Sequence, residues 1–160
     1  MITTRSPRFS AIPPRRVRAT IARLGLGPPS EAGAELSGRD LGRRGEKLAA
    51  RYLRTRGYRV LERNVRTPIG EVDLLCTAPG GRAIVLVEVK SRLTDAAGSG
   101  PPPEASITEH KRRKLRALAR DLAKRRGWES RPMRIDVVAV EMPSRGARPV
   151  IRHHESAVMG

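Results

Sequence analysis

Two rhythms of apolar positions run along this chain. Over residues 40–56, Leu41, Gly45, Leu48, Ala49, Tyr52 and Leu53 recur at helical spacing, and Gly57 ends the pattern. A second helical stretch opens at Ser106-Ile107-Thr108-Glu109, which reads as a capping box. Leu115, Leu118, Ala119, Leu122 and Ala123 give it an apolar stripe through about residue 126, and Gly127 stops it. Strand-like runs cover residues 58–65, 70–77, 83–92, 133–140 and 150–155. The order is helix, strands with a hairpin, helix, strand, strand. It predicts an α/β fold, a mixed central sheet flanked by helices.

The hairpin at 70–92 carries charges where buried strands should carry none. Its arms, Gly70-Glu71-Val72-Asp73-Leu74-Leu75-Cys76 and Ala83 to Arg92, flank a turn at Ala78-Pro79-Gly80-Gly81. A four-residue turn would pair Thr77 with Arg82, Asp73 with Leu86 and Glu71 with Glu88. Glu71, Asp73, Glu88 and Lys90 would then share a face, with Asp73 and Glu88 in diagonal reach of one ion.

Two carboxylates held close repel unless a cation sits between them. Their oxygens suit a hard ion such as Mg²⁺ or Mn²⁺. The competing reading is a set of solvated cross-strand ion pairs. Against it, Ile84 and Leu86 share the face of Glu88 and Lys90, so an apolar strand turns polar only at its end, as a core strand entering a cleft does. The chain uses 28 Arg and only 5 Lys, so lysine at 90 is not its default cation.

Composition narrows the partner. The formal net charge is +17, which calls for a polyanion, nucleic acid before acidic membrane. Aromatics are 2% of the chain, too few to read single-stranded bases by stacking, so duplex backbone recognition is expected. The second helix concentrates this charge, with Lys111, Arg112, Arg113 and Arg116 as the expected phosphate contacts. No run of about 18 apolar residues is present, which argues against a membrane span. The lone Cys76 cannot form an internal disulfide and suits a reducing, cytoplasmic setting.

Residues 1–37 hold Pro7, Pro13, Pro14, Pro28 and Pro29 and no acid before Glu31. They read as a disordered basic extension, with a short amphipathic turn or two within residues 15–26. An organelle transit peptide would share this composition, but the prolines oppose the helix it needs. The extension contributes +4 through residue 38, which leaves +13 on the rest. Residues 38–160 form the expected folded domain. Residues 93–105, with Gly98, Gly100 and three prolines at 101–103, read equally as a mobile flap beside the cleft or as a plain connector.

Other residues bear on the chemistry. Glu46 lies at the boundary of the apolar stripe, where an ordinary surface Glu would pair with Lys47 or Arg43. Asp136, inside a strand, reads as a salt-bridge partner. His153-His154 cannot both ligate one zinc, because adjacent strand residues point apart and no Cys or His partner stands at ligand spacing.

An acidic strand residue followed by Glu88-Val89-Lys90 on the next strand resembles the PD-(D/E)xK nuclease signature, with Val72 in place of its Pro. The wider text, Gly70 to Leu74 and Val87 to Arg92, resembles the YraN-like bacterial proteins, which are similar to archaeal Holliday-junction resolvases. The likeness covers roughly residues 38–158, and Ile135-Asp136-Val137-Val138 matches the family's late Phe-Asp-Val-Val stretch with Ile for Phe.

The resemblance implies a restriction endonuclease-like core. It implies a magnesium-dependent endonuclease acting on DNA rather than RNA, with branched DNA in view, and a homodimer. It assigns metal binding to Asp73 and Glu88, adds the helical Glu46 as a third carboxylate, makes Lys90 catalytic, and places Lys111 near the site. Two other classes stay open. One is a nucleic-acid-binding protein of the same fold without turnover. The other is a structural partner that docks through its basic extension.

Overall fold

The computed structural model describes residues 17–20, 37–94, 101–144 and 148–158. The elements are β1 (Val17–Thr20), α1 (Gly38–Thr55), β2 (Arg59–Thr67), β3 (Gly70–Thr77), β4 (Ile84–Thr94), a 3₁₀ turn (Pro103–Ser106), α2 (Glu109–Arg126), β5 (Met133–Pro143) and β6 (Val150–His154). One six-stranded sheet results, in the order β1-β6-β5-β4-β3-β2. Only β4 and β5 run parallel, and the chain returns between them through α2. The α/β expectation holds, with a mixed sheet between two helices.

Strand alternation builds both faces. Leu74, Cys76, Val85, Val87, Val138, Val140 and Ile151 pack under α1 with Leu48, Ala49, Tyr52 and Leu53. Leu75, Ile84, Leu86 and Ile135 pack under Leu115, Leu118 and Leu122 of α2. Ile84 to Val87 are fully buried on both faces, as a central strand requires. No described helix is long and apolar enough to cross a membrane.

Local signals differ from the sequence reading in four places. Four residues of the expected extension, Val17–Thr20, form an edge strand antiparallel to β6 rather than a helical turn; the rest of residues 1–36 lies outside the described residues. The N-cap of α2 is Thr108, whose hydroxyl accepts the Lys111 N–H, not Ser106. Ser106 donates its hydroxyl to the Pro103 carbonyl and closes the 3₁₀ turn. That turn lies inside the segment read as flap or connector, of which residues 95–100 are outside the described set.

The fourth difference is the hairpin. Its loop has six residues, closed by Ala78 N–H to the Ala83 carbonyl at 2.9 Å, with Gly80 and Gly81 at φ +81° and +73°. Thr77 therefore pairs with Ile84, not Arg82. The slip is two residues, so every side chain keeps its face and only the partners change.

Candidate functional site

The apolar run of β4 ends at Glu88, which remains 4% exposed, and Lys90 follows on the same face, toward α2. Main-chain pairing of β3 with β4 stops at Leu74–Val87. Continuing that register sets Asp73 directly across from Glu88, not diagonal to it. There the strands are tied by a side chain instead: the Asp73 carboxylate accepts the Val89 N–H at 2.7 Å. Glu71 leaves the group, pairing with Arg66 of β2 at 3.4 Å on the exposed sheet edge.

Two ammonium groups meet one carboxylate oxygen. Lys90 Nζ and Lys111 Nζ each lie 2.9 Å from Glu88 Oε1. Lys111 comes from the first turn of α2, so the helix that covers the sheet also supplies a charge to its polar end. The other oxygen, Oε2, is buried with no hydrogen-bond partner. Burial, then the charge of Glu88, pushes Asp73 up to about 7; the Val89 N–H and Lys111 pull the other way, and Glu46 adds to the push.

Glu46 thus lies close enough on α1 to act on Asp73 through its charge. What brings α1 there is Gly45. A Cβ at that position would stand 1.7 Å from Ser91 Oγ and 2.8 Å from Ser91 Cβ, so only glycine permits this approach of helix to strand. Among the described residues, no three His, Cys, Asp or Glu side chains form a metal-holding group. The Asp73–Glu88 pair is an all-oxygen donor set with one unsatisfied buried atom. A pair suffices for Mg²⁺ or Mn²⁺, since Mg²⁺ usually takes one or two carboxylates and fills its remaining positions with water and phosphate oxygens.

The expected phosphate contacts on α2 divide. Lys111 is engaged at Glu88. Arg112 donates to the Ala157 carbonyl at 2.7 Å and fastens the chain after β6. Arg116 pairs with Glu109 at 2.7 Å, and Arg113 is exposed. Lys114, part of the same basic helix face in the sequence but not among the chosen contacts, reaches the entry of β3, where its Nζ would lie 3.3 Å from a Cβ at Gly70. The scarcity of lysine was the usable signal, because three of the five, Lys90, Lys111 and Lys114, gather on this side of the sheet.

Two further polar groups belong to the frame. Asp136 is fully buried under α1, paired with Arg134 at 2.9 Å and His153 at 2.8 Å, and accepts the Ser156 N–H. It is a salt-bridge partner, as its sequence suggested. His154 turns to Glu104 at 3.1 Å on the other face, so the two histidines do point apart. Arg152 bridges Glu104 and Glu141, with Arg92 also on Glu141. Burial opposes the charge of Glu104, but hydrogen bonds from Arg152 override it and hold the group down near about 2. This cluster anchors the 3₁₀ turn just ahead of α2.

Residues 45–140 match the model of a family described as "Uncharacterised protein family UPF0102". A UPF0102 protein of Thermodesulfovibrio yellowstonii is 46% identical over 101 residues, 63% of this chain and 85% of that one. One from Anaeromyxobacter dehalogenans is 42% identical over 130 residues, 81% and 92% of the two chains. One from Clavibacter michiganensis is 46% identical over 118 residues, 74% and 95%. Among solved structures, SfsA of Pyrococcus furiosus in complex with Ca²⁺ is 16% identical with a TM-score of 0.33, over 73% of this chain and 63% of that one, too distant a likeness to argue from.

Proposed function

The chain belongs to the uncharacterised protein family UPF0102, the YraN-like family, and for it we propose phosphodiester hydrolysis in DNA assisted by Mg²⁺ or Mn²⁺. One observation carries the reading. Asp73 and Glu88 face each other at the end of a β-ladder, with Glu88 Oε2 buried and without a hydrogen-bond partner and Lys90 beside them. In this proposal Asp73 and Glu88 hold the ion, which when bound supplies Lewis acidity at a phosphoryl oxygen. Lys90 orients the attacking water and balances charge building on the phosphate oxygens. Lys111 holds Glu88 in place, and Glu46 acts on the pair through its charge. The likeness to junction resolvases makes branched duplexes the first substrates to assay.

A second reading has its own support. Lys90 and Lys111 already neutralise Glu88 Oε1 without any ion, an arrangement that suits a DNA-binding protein without turnover. One experiment separates the two. Purified protein is incubated with branched, nicked and linear duplexes in Mg²⁺, Mn²⁺ or EDTA. Cleavage that needs the ion and vanishes in Asp73→Asn supports the enzyme. Duplex binding that is equal in EDTA, with no cleavage on any substrate, overturns it in favour of the second reading.

A further inference from the structure

The sequence places phosphate contact on α2, but ion pairing in the folded chain redistributes the available charge. On α2, Lys111, Arg116, Arg125 and Arg126 are committed to Glu88, Glu109, Asp121 and Glu62, and Arg112 to a carbonyl, which leaves Arg113, Lys114, Arg120 and Lys124 exposed. On α1, Arg39, Arg43, Arg44, Lys47, Arg51 and Arg54 are all exposed, and none forms an ion pair among the described residues. At 100° per residue these six centre opposite Gly45, Leu48, Ala49 and Tyr52, the face buried on the sheet. Arg43, Lys47 and Arg51 follow one another at four-residue spacing. Asp40, the only acid on the stripe, is held by the Ser37 hydroxyl at 2.6 Å.

Like charges four apart destabilise a helix, so this stripe works against its own element unless a polyanion covers it. A solvated surface helix normally mixes signs. We propose that the outer face of α1, Arg39 to Arg54, is the surface that seats the phosphate backbone of a nucleic-acid duplex. Over 16 residues the stripe is about 22 Å long, enough for several successive phosphates. Its composition is nearly all arginine, whose planar fork fits phosphate oxygens in pairs. Within its arc the one apolar residue is Ala50, which is small and buried, and the large apolar side chains of α1 are spent on the sheet. That separates it from a helix that lies in a membrane interface, which sinks an apolar face. The stripe passes Glu46, whose charge acts on Asp73. Because α1 and α2 cover opposite faces of the sheet, this differs from docking on α2.

The inference deepens the proposed DNA reading but does not depend on cleavage, and its test is run in EDTA. A fluorescent 30-base-pair duplex is titrated by anisotropy over a range of salt concentrations with three full-length proteins. They are wild type, Arg43→Gln/Lys47→Gln/Arg51→Gln on α1, and Arg113→Gln/Arg120→Gln/Lys124→Gln on α2, which removes equal charge. Glutamine keeps the helix propensity, and circular dichroism checks the fold. The α1 variant is expected to lose about ten-fold or more in affinity at physiological salt, and its salt slope to fall by about 2–3, close to 0.9 per phosphate released. The α2 variant is expected to lose less than half of that on either measure. Equal losses in both variants, a larger loss on α2, or no duplex binding by wild type would overturn the proposal. So would binding through α1 to anionic vesicles but not to duplex. Cleavage in Mg²⁺, assayed separately, reports on the Asp73–Glu88 reading alone.

Discussion

Asp73 Oδ2 accepts the backbone N–H of Val89 at 2.7 Å, one step past the point where β3 and β4 cease to pair. The same carboxylate that ties the strands also faces Glu88. It therefore ties the strands through one contact and is coupled to Glu88 through its charge.

That double duty sets a pH dependence. Folded Asp73 keeps its proton up to about 7, against 3.8 for the free side chain. Between those values the folded state binds more protons than the unfolded state, so stability falls as pH rises from about 4 to about 7, by at most about 1.4 kcal/mol per pH unit from this group. Asp73→Asn keeps an acceptor for Val89 and removes the titration. Urea denaturation in EDTA at pH 4.5 and 7.5 should show a steeper loss in wild type than in the variant. Equal losses would mean that Asp73 is not the group responsible.

A divalent ion should reverse this cost. Mg²⁺ or Mn²⁺ is expected to raise the Tm of wild type near neutral pH, by the equivalent of about 2.7 kcal/mol at a hundred times its Kd. The effect should shrink below pH 7 as protons compete for Asp73, and be absent in Asp73→Asn. A thermal-shift series in both ions checks it, and identical Tm values with and without ion would refute it.

Lys90→Ala should abolish cleavage while leaving duplex affinity in EDTA within about two-fold, since one charge among many adds little to phosphate binding. Both Lys90→Ala and Lys111→Ala take a partner from buried Glu88, but Lys111→Ala should lower stability more, because it also loosens the first turn of α2 from the sheet. Parallel cleavage, anisotropy and melting measurements distinguish the two. If Lys90→Ala keeps full activity, its assigned role is wrong.

Gly45→Ala forces α1 away from Ser91 and is expected to cost about 1–3 kcal/mol, as overpacking does in a closed core. Because Glu46 rides on the same turn, activity should drop further than stability at a temperature where the variant remains folded. A Tm equal to wild type would show that the helix does not depend on this contact.

The Glu104–Arg152 bridge makes the opposite pH prediction. Glu104 stays ionised down to about 2, against 4.5 when free, so its contribution is fully present above 4.5 and is lost as pH falls toward 2. Glu104→Gln should lower Tm at pH 7 and match wild type near pH 2. A deficit that persists unchanged into acid would point to packing rather than charge.

Facing was legible in the sequence. Side-chain period two put Glu88 and Lys90 on the face of Ile84 and Leu86, and the facing of Asp73 and Glu88 across the hairpin survived a two-residue error in the turn because an even slip leaves parity intact. Helical spacing with Gly57 and Gly127 located both helices, and adjacency on a strand disposed of a His153–His154 zinc site. Proximity was not legible. Nothing local brings Lys111 to Glu88, closes Gly45 onto Ser91, or replaces Ser106 by Thr108 as the cap of α2. Nor does a count of arginines tell which ones are already neutralised by acids far along the chain, as Arg126 is by Glu62 and Arg152 by Glu104. Periodicity is a property of neighbouring residues and can be read from them. Charge balance and close approach are settled by residues that meet only after the sheet has formed.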